Sequence, residues 1–245
     1  MIEIKEIKKS FGKLNVLKNI SLELHKGESL ALIGPNGCGK TTLIKCILGM
    51  VIPESGSIIF DGKAIENHYK YREEIGYMPQ IGHYPDNMTI GHIIEMITQI
   101  RKSDKNLDDD LLNAFQLKDM YHKKMSTLSG GTTQKVSATL AFLFDPKVLI
   151  LDEPTAGLDP ISSEILKEKI VLEKSKGKLI LITSHILSEL DELITGLVLM
   201  QDGEIKLKNS IEELRALTDT NSIAKAITKI LKEDSNAKNH QIHHS

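Results

Sequence analysis

The nine residues "GPNGCGKTT" at positions 34–42 constrain this chain more than any other stretch. A continuously apolar segment, "SLALIG" (29–34), runs into them and breaks at Gly34, as a strand buried on both faces would. "TTLIKCILGM" (41–50) then resumes with helical spacing. Gly34, Gly39, Lys40 and Thr41 fit the pattern G-x-x-x-x-G-K-[ST] in full. Glycines let such a loop curl until several backbone N–H groups face a β- and a γ-phosphate. Gly34, Pro35, Asn36, Gly37, Cys38, Gly39, Lys40, Thr41 and Thr42 therefore form the candidate phosphate cradle. Lys40 brings a compact charge, and Thr41 a hydroxyl suited to Mg²⁺. The alternative is a chance glycine turn; a strand before it and a helix after it argue against that.

A phosphate loop of this kind needs an acid at the end of a neighbouring buried strand, and "VLILDEP" (148–154) supplies one. Asp152 is placed to hold Mg²⁺ through water, and Glu153 to polarise an attacking water. Glu153 could instead cap the next helix, yet adjacent carboxylates at a strand end are costly without a cation. The chain thus reads as a binder of a nucleoside triphosphate. A second anion-binding helix mouth stands far downstream in "LSGGTTQKV" (128–136), where Ser129, Gly130 and Gly131 precede a helical stretch. By itself it could be a simple turn.

Ile2, Ile4 and Ile7, then "ISLEL" (20–24), alternate as half-buried antiparallel strands do. The buried-strand signature recurs at 148–154, at "LILITSH" (179–185) and at "LVLMQDGEIKL" (197–207). "ISSEILKEKIVLEKSK" and "ILSELDELIT" read as helices between them, which predicts a mostly parallel sheet covered on both faces. Between Pro85 and Pro146 the strand signal vanishes; "TIGHIIEMITQIR" (89–101), "LDDDLLNAFQL" (107–117) and "TTQKVSATLAFLF" (132–144) are helical in spacing. The expected fold class is therefore α/β: a P-loop NTPase (RecA-like) core, an N-terminal antiparallel β subdomain and an inserted helical subdomain at about 85–145. Residues 1–215 are expected to form this domain. Residues 216–245 are expected to be a short helical extension with a polar, disordered tail.

In order, "GPNGCGKTT", "YMPQ", "LSGGTTQ", "VLILDEP", "AGLDP" and "SH" resemble the ATP-binding subunit of ABC transporters over roughly residues 1–215. That resemblance implies ATP and Mg²⁺ as cofactors and a homodimer with a second copy of the chain. In the family, the signature loop of one subunit closes on the γ-phosphate held by the other. Both helix mouths would then serve one nucleotide, with Ser129, Gly130 and Gly131 acting across the interface. Phe11 matches the aromatic that stacks on adenine, more often Tyr; a core phenylalanine is the alternative. Gln80 matches the hinge glutamine that senses Mg²⁺ and the attacking water, against an ordinary loop glutamine. Asp159 matches the acid that crosses the dimer interface, although a helix cap is also open. His185 matches the γ-phosphate histidine, against a structural one. Thr132 departs from the family, which most often has Gln there. Cys38 holds a variable position: a helix start could lower its pKa, or it is a passive small residue.

The 245 residues suit one large α/β domain, and 40% are apolar. Aromatics are 4%, Trp is absent and the net charge is −2, which argues against an aromatic-rich or nucleic-acid-binding surface. The start "MIEIKEIKKSFG" lacks an apolar core, so no signal peptide is expected, and two unpaired cysteines suit a reducing cytoplasm. No apolar run is long enough for a bilayer. A polytopic membrane permease subunit is accordingly expected as a separate partner, with this chain peripheral on the inner face of the plasma membrane. Tyr84, Pro85 and Met88 are candidates for docking a helix of that partner, or else fix their own loop. "YREEIGYMPQIGHYPDNMTI" and residues 128–170 further resemble the ATPase of the copper-processing system that serves nitrous oxide reductase maturation. A generic ABC-2 type exporter ATPase for a drug, lipid or polysaccharide shares most of these motifs. His240, His243 and His244 could bind copper weakly, or lie in a solvated tail. Two other classes compete. A soluble cassette acting on nucleic acid or ribosomes usually carries two cassettes or a coiled-coil insert. A regulator without turnover is disfavoured by Glu153 and His185.

Overall fold

The structure is a computed structural model. It describes residues 1–66, 68–101, 107–218, 220 and 225–229. The N-terminal alternation folds as expected: β1 (Ile2–Phe11) and β2 (Leu14–Leu24) form an antiparallel hairpin. β4 (Ser55–Phe60) pairs with the other edge of β1, and β5 (Lys63–Ala64) closes the four-stranded order β2-β1-β4-β5.

The second sheet has six strands. β3 (Ser29–Ile33) lies near its middle, and the order is β10-β9-β3-β8-β7-β6. β6 (Ile75–Met78), β7 (Val148–Asp152), β8 (Leu179–Thr183), β3 and β9 (Gly196–Gln201) run parallel, and β10 (Glu204–Ser210) is antiparallel to β9. Strand alternation divides the core cleanly. Leu30, Leu32, Val148, Ile150, Leu179, Leu181, Val198 and Met200 join the β1–β2 side chains in one cluster. Ala31, Ile33, Leu149, Leu151, Ile180, Ile182, Leu197 and Leu199 join the other. These are the two faces of one sheet, since side chains point alternately to either side.

α1 (Lys40–Ile47) covers the first face with Leu43, Ile44, Cys46 and Ile47. The second face carries α2 (Ile90–Arg101), α3 (Asp110–Ala114), α4 (Gly130–Phe142), α5 (Pro160–Ser175) and α6 (Ile211–Thr218). Between β6 and β7 the described residues hold helices and a single isolated bridge, Thr89 with Lys124. Their apolar side chains share one cluster with the sheet, so this helical segment packs on the core and forms no separate one.

Two local expectations are corrected. "LVLMQDGEIKL" is a hairpin, not one strand: Asp202 and Gly203 take φ 53° and 80°, the positive values that a two-residue Asp-Gly turn requires. "ILSELDELIT" is not a helix beyond a 3₁₀ turn at Leu187–Glu189. Its polar groups are drawn to β3 instead. The Ser29 hydroxyl donates to the Leu193 carbonyl at 2.5 Å, and the Ser29 N–H to Thr195 Oγ1 at 3.0 Å. β4 and β6 had no clear signal because they are only 6 and 4 residues long. His240, His243, His244 and the polar tail lie outside the described residues.

Candidate nucleotide-binding site

Four parallel strands deliver the site at one edge of the sheet. β3 ends in the glycine loop, β6 leads to Gln80, β7 ends in Asp152 and Glu153, and β8 leads to His185. Ligands of open α/β sheets collect at such carboxyl ends, where the crossovers diverge. A cavity of about 450 Å³ stands there. Asn36, Gly37, Gly39, Lys40, Thr41, Thr42, Gln80, Asp152, Glu153 and His185 line it, together with Leu14 and Val16. The sequence thus placed ten of the twelve lining residues. Leu14 and Val16 were missed; they belong to β2, where an apolar alternation gives no hint of a ligand.

The loop is glycine-rich for steric reasons. A Cβ at Gly34, whose φ is 152°, would lie 2.0 Å from the Met200 carbonyl oxygen, so no other residue fits. α1 begins at Lys40, and its first-turn N–H groups have no intrahelical acceptor. Lys40 Nζ donates to the Gly34 carbonyl at 2.7 Å and the Pro35 carbonyl at 3.2 Å, which folds the cation over its own loop. Gly34 and Pro35 contribute to this cradle by their backbone. Cys38 is buried, and its Sγ lies 4.0 Å from Lys40 Nζ within the loop.

The acids are held by β8. Asp152 pairs directly with Thr183 across the parallel ladder, and the Thr183 hydroxyl donates to Asp152 Oδ1 at 2.5 Å. The Glu153 N–H reaches both the Thr183 carbonyl, at 3.1 Å, and its Oγ1, at 3.0 Å. Glu153 has φ 51°, an unfavourable value for a residue with a side chain, and its Oε1 lies 2.8 Å from His185 Nε2. It caps no helix; α5 is capped by Asp159. Burial beside Asp152 pushes the Tyr77 phenol up to about 12, so that β6 side chain stays neutral. Thr41, Gln80 and Asp152 all line this cavity, and their side chains make up an oxygen donor set that fits a hard cation such as Mg²⁺.

Ser129, Gly130, Gly131 and Asp159 are not in this cavity; they make a second cluster. Ser129 caps α4: its Oγ accepts the Thr132 N–H at 3.2 Å and meets the Thr132 hydroxyl at 2.9 Å. A Cβ at Gly131 would come within 2.8 Å of the Gly157 carbonyl, so the two loops touch. Asp159 accepts from the Ser162 N–H at 2.9 Å, as a helix cap, and pairs with Lys135 of α4 at 2.9 Å. Hydrogen bonds from Lys135 and then Ser162 hold its carboxyl far below the usual carboxylate range. Phe11 stands apart from the lining too, exposed at the hairpin end with Leu14 as its cross-strand neighbour.

The family model described as "ABC transporter" matches residues 17–156. The lantibiotic transport ATP-binding protein SrtF of Streptococcus pyogenes is 35% identical over 86% of this chain and 92% of its own length. The Nod factor export ATP-binding protein I of Burkholderia lata is 32% identical over 82% of this chain and 68% of its own. A solved structure titled as the ATP binding subunit of an ABC transporter superposes with TM-score 0.86 at 28% identity, covering 94% of this chain and 99% of that one. The phosphate loop, the paired acids and these likenesses converge: the chain belongs to the ABC transporter family and is an ATPase, the nucleotide-binding subunit of such a transporter.

Proposed function

We propose that two copies of this chain sandwich ATP and drive a separate polytopic permease of the exporter class. The observation that carries the dimer is the separation of the two helix mouths. The phosphate loop lines the cavity, whereas Ser129, Gly130 and Gly131 lie outside it. A second copy would bring them to the γ-phosphate, with Asp159 beside them.

Within each site, the loop N–H groups and Lys40 bind the phosphates, and Thr41, Asp152 and Gln80 would hold Mg²⁺. When bound, Mg²⁺ neutralises charge on the phosphate oxygens. Glu153 orients and deprotonates the water, while His185 fixes the Glu153 carboxylate and faces the γ-phosphate. Leu14 and Val16 offer an apolar wall for the nucleoside, and Phe11 an exposed ring at its edge.

Export rests on the two relatives whose names specify lantibiotic transport and Nod factor export. The narrower copper-processing reading rests on residues 71–90 and 128–170, and growth of a nitrous-oxide-respiring strain lacking this chain would separate it from general export. No described helix is long and apolar enough to cross a membrane, which is why a permease is proposed as the membrane part, with this chain peripheral to it. Tyr84 does not serve as a free docking side chain: its hydroxyl is within 2.9 Å of Ser137 Oγ, and it packs on the core with Met88.

The test mixes two inactive variants. Lys40→Ala should weaken ATP binding at least tenfold, as loss of a charged hydrogen bond does. Ser129→Arg should block the mouth of α4. Mixed dimers contain one site damaged twice and one intact, so the mixture should release phosphate where neither variant does alone. A nucleotide found against Ser129 and the phosphate loop of the same chain would overturn the arrangement.

A further inference from the structure

The geometry points to Thr183 as the positioning residue of both acids: its hydroxyl aims Asp152 at the cation and holds the Asp152–Glu153 peptide in its strained conformation. This inference rests on the ATPase reading above. Thr183 is 1% exposed, at the end of a strand whose other members are all aliphatic. A buried hydroxyl among aliphatic neighbours is costly unless its hydrogen bonds are made. Here both are made, and both go to the acid pair.

The direction of each bond is forced. A hydroxyl has one proton and the Glu153 N–H can only donate, so Thr183 Oγ1 accepts at 3.0 Å from Glu153 N. With its acceptor side given to the Glu153 N–H, the Thr183 hydroxyl donates its one proton to Asp152 Oδ1 at 2.5 Å. Asp152 Oδ1 is thereby occupied by a fixed donor, and Oδ2 is left for the cation or its water. Asp152 and Thr183 are direct partners in the parallel ladder and share the α1 face of the sheet, so the contact is set by strand register. The same atom helps hold Glu153 at φ 51°, the turn that carries its side chain to His185.

Removing the hydroxyl with Thr183→Val leaves the Asp152 carboxylate without this donor. The Glu153 N–H keeps the residue-183 carbonyl at 3.1 Å, so the loss falls mainly on Asp152. Two readouts follow. Mn²⁺ binding in the presence of AMP-PNP, read by electron paramagnetic resonance, should weaken at least tenfold, the usual scale for a hydrogen bond to a charged group. The turnover number should fall at least as far, while KM for ATP stays within about twofold, because the phosphate loop is untouched. Thr183→Ser keeps the donor and should recover most of both. If Thr183→Val does not fold, Thr183→Ala against Thr183→Ser makes the same comparison. Wild-type Mn²⁺ affinity and turnover in the variant lacking the hydroxyl would overturn the inference. So would a Ser variant as impaired as Val, which would mark Thr183 as a packing residue. If wild type itself released no phosphate from ATP, the functional reading would fail, whereas a hydroxyl-dependent Mn²⁺ affinity would still stand.

Discussion

Glu153→Gln should lower steady-state phosphate release by roughly two to four orders of magnitude, the contribution typical of a positioned general base. Glutamine matches glutamate in shape, and its amide oxygen can still accept from His185 Nε2, now 2.8 Å from Glu153 Oε1. It inherits the same backbone contacts to Thr183. What it loses is basicity. ATP affinity, measured by fluorescent-nucleotide titration, should stay close to wild type, because the phosphate loop and Lys40 are unchanged. Turnover near wild type would show that another group handles the water.

The largest expected loss of stability is at Lys169→Ala. Lys169, on α5, is 5% exposed and ion-pairs with Asp108 at 2.6 Å, Asp110 at 2.7 Å and Glu173 at 3.1 Å. Glu173 is fully buried and also pairs with Lys176 and Lys178; Lys178 in turn pairs with Asp145. Asp108 and Asp110 belong to the helical segment, so this network fastens its back to the core. Truncating Lys169 takes the lysine from the nearly buried Asp108 and one of three lysines from the buried Glu173, and breaking a buried pair in this way costs up to about 3–5 kcal/mol. Urea unfolding measures it; a loss under about 1 kcal/mol would show that water reaches the network.

The same network makes stability depend on acid. Burial alone would raise the Glu173 carboxyl, but the lysines around it, Lys176, Lys178 and Lys169, outweigh burial and bring it from 4.5 down to about 2. A depressed carboxyl contributes stability that is full above its ordinary pKa and is lost as pH falls through the folded value. The window therefore runs from about 4.5 down to about 2. Lys169 is raised, so its contribution is full below its ordinary value and is lost only in strong alkali. The slope in the acid window should be shallower in Lys169→Ala.

How far these features were legible depends on where each side chain finds its partner. Lys40, Asp152, Glu153, Gln80 and His185 could be read because their motifs sit at strand ends, and a parallel sheet gathers such ends at one edge. Thr183 could not, since a hydroxyl at the end of "LILIT" gives no sign of facing Asp152 31 residues away. Lys169 was hidden more thoroughly. With Glu173 at i+4 it looks like an ordinary solvated helix pair, and only the fold brings Asp108, 61 residues distant, against it. The 186–195 segment failed for the opposite reason: Leu190, Leu193 and Ile194 have helical spacing and are buried, but bonds to Ser29 take the chain elsewhere. Phe11 was expected against the base; it stands exposed as the cross-strand neighbour of Leu14, which lines the cavity with Val16.

In the proposed dimer the mouth of α4 completes a nucleotide site on another copy of the chain. Light scattering on a sizing column of Glu153→Gln with Mg-ATP is the decisive measurement. A species of twice the chain mass should form with ATP, be absent without nucleotide, and be abolished by adding Ser129→Arg. A strictly monomeric Glu153→Gln protein at saturating Mg-ATP, alongside a wild type that hydrolyses ATP normally, would contradict it.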